Sequence, residues 1–162
     1  MGTNGSTMLE PLRQGLPPLD PSAVSSAASV ALPARYEAVG CARKFTRKTL
    51  GQWDLDERFD DIALVVSELV TNALRHALPA ATPREQLDPA VRLHLMRWAS
   101  RLVCAVRDPS DESPVTRDTD DDFSAESGRG LFLVESFSDG WGWHPLAGTV
   151  RGKVVWALFQ LG

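Results

Sequence analysis

The stretch "SELVTNALRHA", residues 67–77, decides how this chain is read. It closes a longer run, 54–77, in which Phe59, Ile62, Val66, Leu69, Ala73 and Ala77 recur at spacings of three and four. That period gives one buried stripe along an α-helix. Asp54, with Glu57 three residues later, resembles a capping box at the helix start. Off the stripe stand Glu68 and Asn72, four residues apart, with Arg75 and His76 about a turn further on. Residues four apart share a helix face. A carboxylate, an amide, a guanidinium and an imidazole on one side make either a wetted surface or a site. The helix alone leaves both open.

The chain has 162 residues, 43% of them apolar, and a net charge of −4. That is a globular composition of one domain's length. Residues 1–26, rich in Gly, Pro and Ser, read as a flexible tail, and 27–162 as the domain. The acidic balance provides no global field for nucleic acid. No apolar run reaches the ~18 residues of a membrane span. The start lacks the basic and apolar blocks of a secretion signal, so the expected location is cytoplasmic. Cys41 falls in a helical pattern and Cys104 in an apolar strand, and both are expected as buried thiols. His76, His94 and His144 show no metal-site spacing.

Along the chain, 28–34 reads as an edge strand ended by Pro33. Residues 35–53 read as a helix with Tyr36, Val39, Ala42, Phe45 and Leu50 inward and Arg43, Lys44, Arg47 and Lys48 off that face. After the 54–77 helix, 78–89 is a proline-marked loop. Residues 91–98 alternate, with Val91, Leu93 and Leu95 on one face, and the uniformly apolar 102–108 reads as a central strand. Residues 99–101 link the two as a hairpin. A polar, mostly acidic loop (109–127) leads to a short helix over 128–138, and two closing strands follow. Strand, helix, helix, strands, helix, strands is an α+β order rather than an alternating βαβ one.

Two glycine motifs fail on inspection. "GRGLFL" (128–133) would place the third glycine of a dinucleotide fingerprint at Leu133, and it follows a loop rather than a strand. "GTVRGKV" (148–154) has too short a spacing for a phosphate loop and carries Val154 where Ser or Thr should bind magnesium. What remains is the physical property of Gly128 and Gly130 at a helix start, where free amides attract anions.

Taken in order, these segments resemble the GHKL, or histidine-kinase-like, ATPases. "SELVTNALRHA" is similar to their N box, "VRDPSDESP" (106–114) to their G1 box and "SGRGLFLV" (127–134) to their G2 box. With "GWGW" and "GKVVWALF" near the end, the chain resembles the small anti-sigma-factor serine/protein kinases over about residues 28–161. The resemblance implies a two-layer α/β sandwich of the Bergerat type, a mixed sheet covered on one face by helices. It implies ATP and Mg2+ as ligands. Glu68 would be the general base, and Asn72 would hold magnesium against the phosphates. Arg75 and His76 would lie near them. Asp108 would accept the adenine amino group, with Ser110 following in the same box. Backbone amides around Gly128, Arg129, Gly130 and Leu131 would hold phosphate, and 109–127 would be the lid.

The sequence departs from the family in two places. G1 is commonly D-x-G-x-G, whereas residues 108–112 here lack both glycines, and Pro109 removes an amide donor. A Thr or Ser common in the closing strands is replaced near Val154. The resemblance implies an ATP-binding regulator that phosphorylates a serine on an anti-sigma-factor antagonist, sequesters a sigma factor, or both. Its partners are proteins, with a homodimer possible. The alternative is a non-catalytic GHKL-fold module with weak or structural nucleotide binding.

Overall fold

The computed structural model describes residues 24–80, 91–98, 100–109, 125–146 and 152–161, the side chains at 76–80, 98 and 125–130 excepted. The elements follow as β1 (Val24–Leu32), α1 (Glu37–Gln52), a 3-10 turn (Asp56–Arg58), α2 (Phe59–Ala80), β2 (Val91–Trp98), β3 (Arg101–Asp108), α3 (Ala125–Phe137), β4 (Gly140–Pro145) and β5 (Lys153–Gln160). The strands form one five-stranded sheet in the order β1-β2-β3-β5-β4. The α+β sandwich expected from the sequence is present.

One detail of that expectation changes. The sheet is antiparallel in all four pairings rather than mixed. β3 and β4 run the same way and are joined through α3, but β5 returns between them, so they never pair with each other. β3 is the central strand, as its uniformly apolar sequence suggests, with Leu102 to Val106 buried on both faces. β1 starts at Val24, inside the stretch read as tail, and pairs from there with Trp98.

Alternation along the strands splits the core in two. Leu93, Leu95, Leu102, Cys104, Val106, Val155, Ala157 and Phe159 face the helices and join Ala42, Ile62, Val66, Leu69 and Val134 in one cluster. Met96, Val103, Ala105, Val154, Trp156 and Leu158 face the other way and gather with Leu146 and Val24 in a second cluster. That second cluster contains no helix residue among those described, so the helices cover one face.

α2 is the spine of the helical layer, packed against α1, α3 and the sheet. Its predicted stripe is buried from Phe59 to Ala73, and Ala63, Val65, Val70 and Leu74 widen it because the helix has neighbours on three sides. The expected capping box is absent. Asp54 sits at φ 57, and the 3-10 turn intervenes before α2 begins at Phe59. α2 also runs to Ala80, into the segment read as loop.

In α1 the buried residues are Ala38, Ala42, Thr46, Thr49 and Leu50. The Thr46 hydroxyl is satisfied by donating to the Ala42 carbonyl at 2.8 Å. Small residues dominate that face, so α1 lies close to its neighbours. Tyr36 precedes the helix and is exposed, contrary to the sequence reading. Cys41 is also exposed, because it lies well round the helix from the Ala38/Ala42/Thr46 stripe. The basic side of α1 is not idle. Arg43 and Arg47 lie over the Phe59 ring, the Arg47 guanidinium 4.1 Å from its centroid.

Candidate functional site

The opening stretch resolves into two sides. At 3.6 residues per turn, Glu68, Asn72 and Arg75 fall within roughly a 60° arc that the buried stripe leaves out. All three are half-buried, so they are neither core nor open surface. Ser67 marks the side towards α1. It receives a hydrogen bond from Arg43 at 3.4 Å and donates to the Ala63 carbonyl at 2.7 Å. The Glu68/Asn72/Arg75 arc lies further round, away from that contact.

Asn72 carries the clearest chemical signal. Its side-chain nitrogen Nδ2 is buried and has no hydrogen-bond partner. An unsatisfied buried amide group costs about 1–3 kcal/mol, so such a group usually belongs with a ligand, a water or an ion. The amide can present either its nitrogen or its oxygen to that position by rotating its end. The oxygen is the kind of ligand magnesium takes. The residues at this end therefore suit a metal–phosphate group.

Asp108 is the next candidate along the chain. It closes β3 on the parity of Leu102, Cys104 and Val106, so it points to the helical side of the sheet. Lys153 opens β5 on the parity of Val155 and Ala157 and lies directly opposite Asp108 in the register. The Lys153 Nζ is 3.0 Å from Oδ1, donating a hydrogen bond, and 3.0 Å from Oδ2. The pair is sealed, with Lys153 at 0% and Asp108 at 1% exposure. Gly152 holds the backbones together. Its φ is +125, and a Cβ there would lie 2.4 Å from the Asp108 carbonyl oxygen. Only glycine fits so close an approach.

Lys153 was not among the residues singled out from sequence. Its signal was legible nonetheless. It opens a strand in which Val154 to Phe159 are all buried, and lysine is almost never fully buried unless paired. The acid that pairs it closes another apolar strand.

The glycine segment needs a correction. α3 begins at Ala125, so Gly128 and Gly130 lie within the helix rather than at its first residue. Ala125 and Glu126 are good helix formers and carry the helix upstream. Within the helix the free amides are then those of Ala125, Glu126 and Ser127, while those of Gly128, Gly130 and Leu131 fall within the helical ladder. Leu131 is half-buried. Ser110, most of the expected lid and the side chains of His76, Gly128, Arg129 and Gly130 lie outside the described residues.

The shifted titrations lie away from this site. His94 is on the outer sheet face, where burial, with Arg92 and Arg107 adding to it, pushes its pKa down to about 4. Burial pushes the Cys104 thiol up to about 12. His94 Nδ1, His144 Nε2 and Trp156 Nε1 are buried without partners, and all three belong to that outer face. Among the described residues, no three His, Cys, Asp or Glu gather as a metal cluster, and no helix is long and apolar enough to cross a membrane.

Comparison with known proteins agrees with this architecture. No curated protein matches the chain in sequence. Among solved structures, one match is the RsbU and RsbW domains of Rv1364c from Mycobacterium tuberculosis, with TM-score 0.60 and 18% identity over 85% of this chain. The chain spans about a third of that protein, 33% of its length. Another is the SiaB-SiaC complex from Pseudomonas aeruginosa, with TM-score 0.57 and 11% identity over 97% of this chain and 98% of that one. At these identities the likeness is one of fold. A family model, the histidine kinase-like ATPase domain, matches residues 32–158. That span takes in α2, the Asp108–Lys153 pair and α3, and the chain belongs to the histidine kinase-like ATPase family.

Proposed function

We propose that the chain binds ATP with Mg2+ and acts as an anti-sigma-factor-type serine/threonine protein kinase on an antagonist protein, sequesters a sigma factor, or does both. The observation that carries the reading is the orphaned Asn72 amide beside Glu68 on the open arc of α2. Asn72 would supply a magnesium oxygen ligand. The free amides at the start of α3 would face the phosphates, as helix N-termini favour anions. Arg75 on the same arc adds positive charge. Glu68 would take the proton of the acceptor serine as its oxygen bonds to the γ-phosphorus and the bond to ADP breaks. Magnesium, when bound, would supply charge neutralisation of the phosphates. The partner proteins follow from the same reading, as the antagonist and the sigma factor such a kinase would engage.

The test is ATP binding with and without magnesium, for the wild type and Asn72→Ala. The reading expects magnesium-dependent binding that the substitution weakens. Equal and negligible binding by both proteins would sink it. Incubation with γ-labelled ATP and candidate antagonists addresses the chemistry. Transfer to serine that Glu68→Ala abolishes supports the kinase.

One observation favours the second reading, a non-catalytic binding module. Asp108, which the family resemblance assigns to the adenine, is already ion-paired with Lys153. Nucleotide binding without transfer in the labelling experiment would select it.

A further inference from the structure

The Asp108–Lys153 pair has a consequence for ligand choice. A carboxylate at the end of β3 reads an adenine by accepting hydrogen bonds from its exocyclic amine. Here a donor is built into the chain. The Lys153 ammonium reaches both Asp108 oxygens at 3.0 Å, and neither side chain is open to solvent. Gly152 lets the two backbones approach too closely for a side chain to stand there, with Lys153 and Asp108 directly opposite in the strand register. Pro109, next in the chain, has no amide hydrogen to offer a base in compensation.

We infer that Lys153 is a specificity-determining residue: by occupying Asp108 it removes discrimination at the base, so recognition falls on the polyphosphate. This rests on the nucleotide reading above. An incoming adenine amine gains little at Asp108. It would have to share a sealed carboxylate, 1% exposed, whose charge a buried ammonium 3.0 Å away already balances, and disturbing such a pair is costly. The phosphate end is the opposite case, because the Asn72 amide gains a partner on binding. The ligand class is thus a magnesium-bound nucleoside triphosphate with a loosely selected base.

The experiment is calorimetric titration of the folded chain with the magnesium complexes of ATP, GTP, N6,N6-dimethyl-ATP and inorganic triphosphate. The dimethyl compound keeps the ring and phosphates but has no amine hydrogens. The wild type is expected to bind ATP and N6,N6-dimethyl-ATP within about threefold, below the roughly tenfold or more that a charge-assisted hydrogen bond is worth. GTP should bind comparably. Lys153→Thr frees Asp108 and should gain a preference for ATP over the dimethyl compound of about tenfold or more. A wild type that already prefers ATP by that margin overturns the inference. So does a folded Lys153→Thr protein that stays indifferent. If the variant does not fold, the wild-type comparison decides alone. If neither the nucleotides nor triphosphate bind the wild type, the nucleotide reading itself fails, which is a different result from a preference for ATP.

Discussion

The two ends of the candidate site are built on opposite principles. At the end proposed for the base, Asp108 and Lys153 are ion-paired inside the protein, and Gly152 lets the strands that carry them approach closely. At the phosphate end, Asn72 is held in a half-buried position with its amide nitrogen unsatisfied. A buried ion pair has its charges balanced before any ligand arrives. An orphaned amide costs the fold and is repaid only when something binds. The difference teaches that burial of polar groups near a site does not by itself mark them as contacts.

Breaking the base end should have the largest effect. Asp108→Ala leaves the Lys153 ammonium buried at 0% exposure without its counterion. The expected loss is about 3–5 kcal/mol of folding stability, measured by urea unfolding. Replacing both partners, as Asp108→Leu with Lys153→Met, removes the charge along with its partner and should cost far less. If the double variant is as unstable as the single one, the pair is not a self-contained unit and the comparison breaks.

Acid offers a control on the opposite sheet face. His94 has a folded pKa of about 4 against 6.5 for the free side chain. The unfolded chain therefore binds the proton more readily. The His94 contribution is fully present above pH 6.5 and is lost as pH falls from there towards 4. At about 1.4 kcal/mol per pH unit the loss reaches up to about 3 kcal/mol. His94→Leu should flatten the stability profile over that window, as followed by thermal melts. A profile unchanged by the substitution would place the acid sensitivity elsewhere.

Gly152 tests the clamp more gently. Gly152→Ala places a Cβ 2.4 Å from the Asp108 carbonyl oxygen at φ +125. A loss of about 1–3 kcal/mol is expected from backbone strain. Gly40→Ala is the contrast, since nothing lies within 4 Å of the added Cβ on an exposed turn of α1. There the expected change is a gain of about 1 kcal/mol from helix propensity. Equal losses at both positions would show that the clamp is no special feature.

The sequence was most legible where one period repeated over a long run. The α2 stripe, the Val91/Leu93/Leu95 alternation and the central position of β3 all follow from patterns of burial that dominate their energies. The Glu68/Asn72 arc was equally visible, because a helix fixes where residues four apart must point. Three features were not. Helix ends escaped, since Asp54 took up a positive φ and Ala125 extended α3 upstream, choices set by neighbours rather than by local pattern. The strand order escaped, because β5 inserts between β3 and β4 through long-range pairing. The Asp108–Lys153 pair escaped because it joins residues 45 apart in sequence, although Lys153 at the head of an apolar strand was itself a visible signal. Only the register of β3 against β5 sets them opposite each other.

The smallest expected effect is also the one that most directly sharpens the contrast. Asn72→Leu keeps nearly the same shape but removes the buried amide. If the Nδ2 group is an unpaid cost in the ligand-free fold, its removal should raise stability by about 1 kcal/mol, seen as a higher urea midpoint at unchanged slope. The same substitution should abolish magnesium-dependent ATP binding, because leucine offers no metal ligand. A residue whose loss stabilises the fold and removes binding is held for function. Should Asn72→Leu instead destabilise the protein, the amide already has an internal role, and the phosphate end would resemble the base end after all.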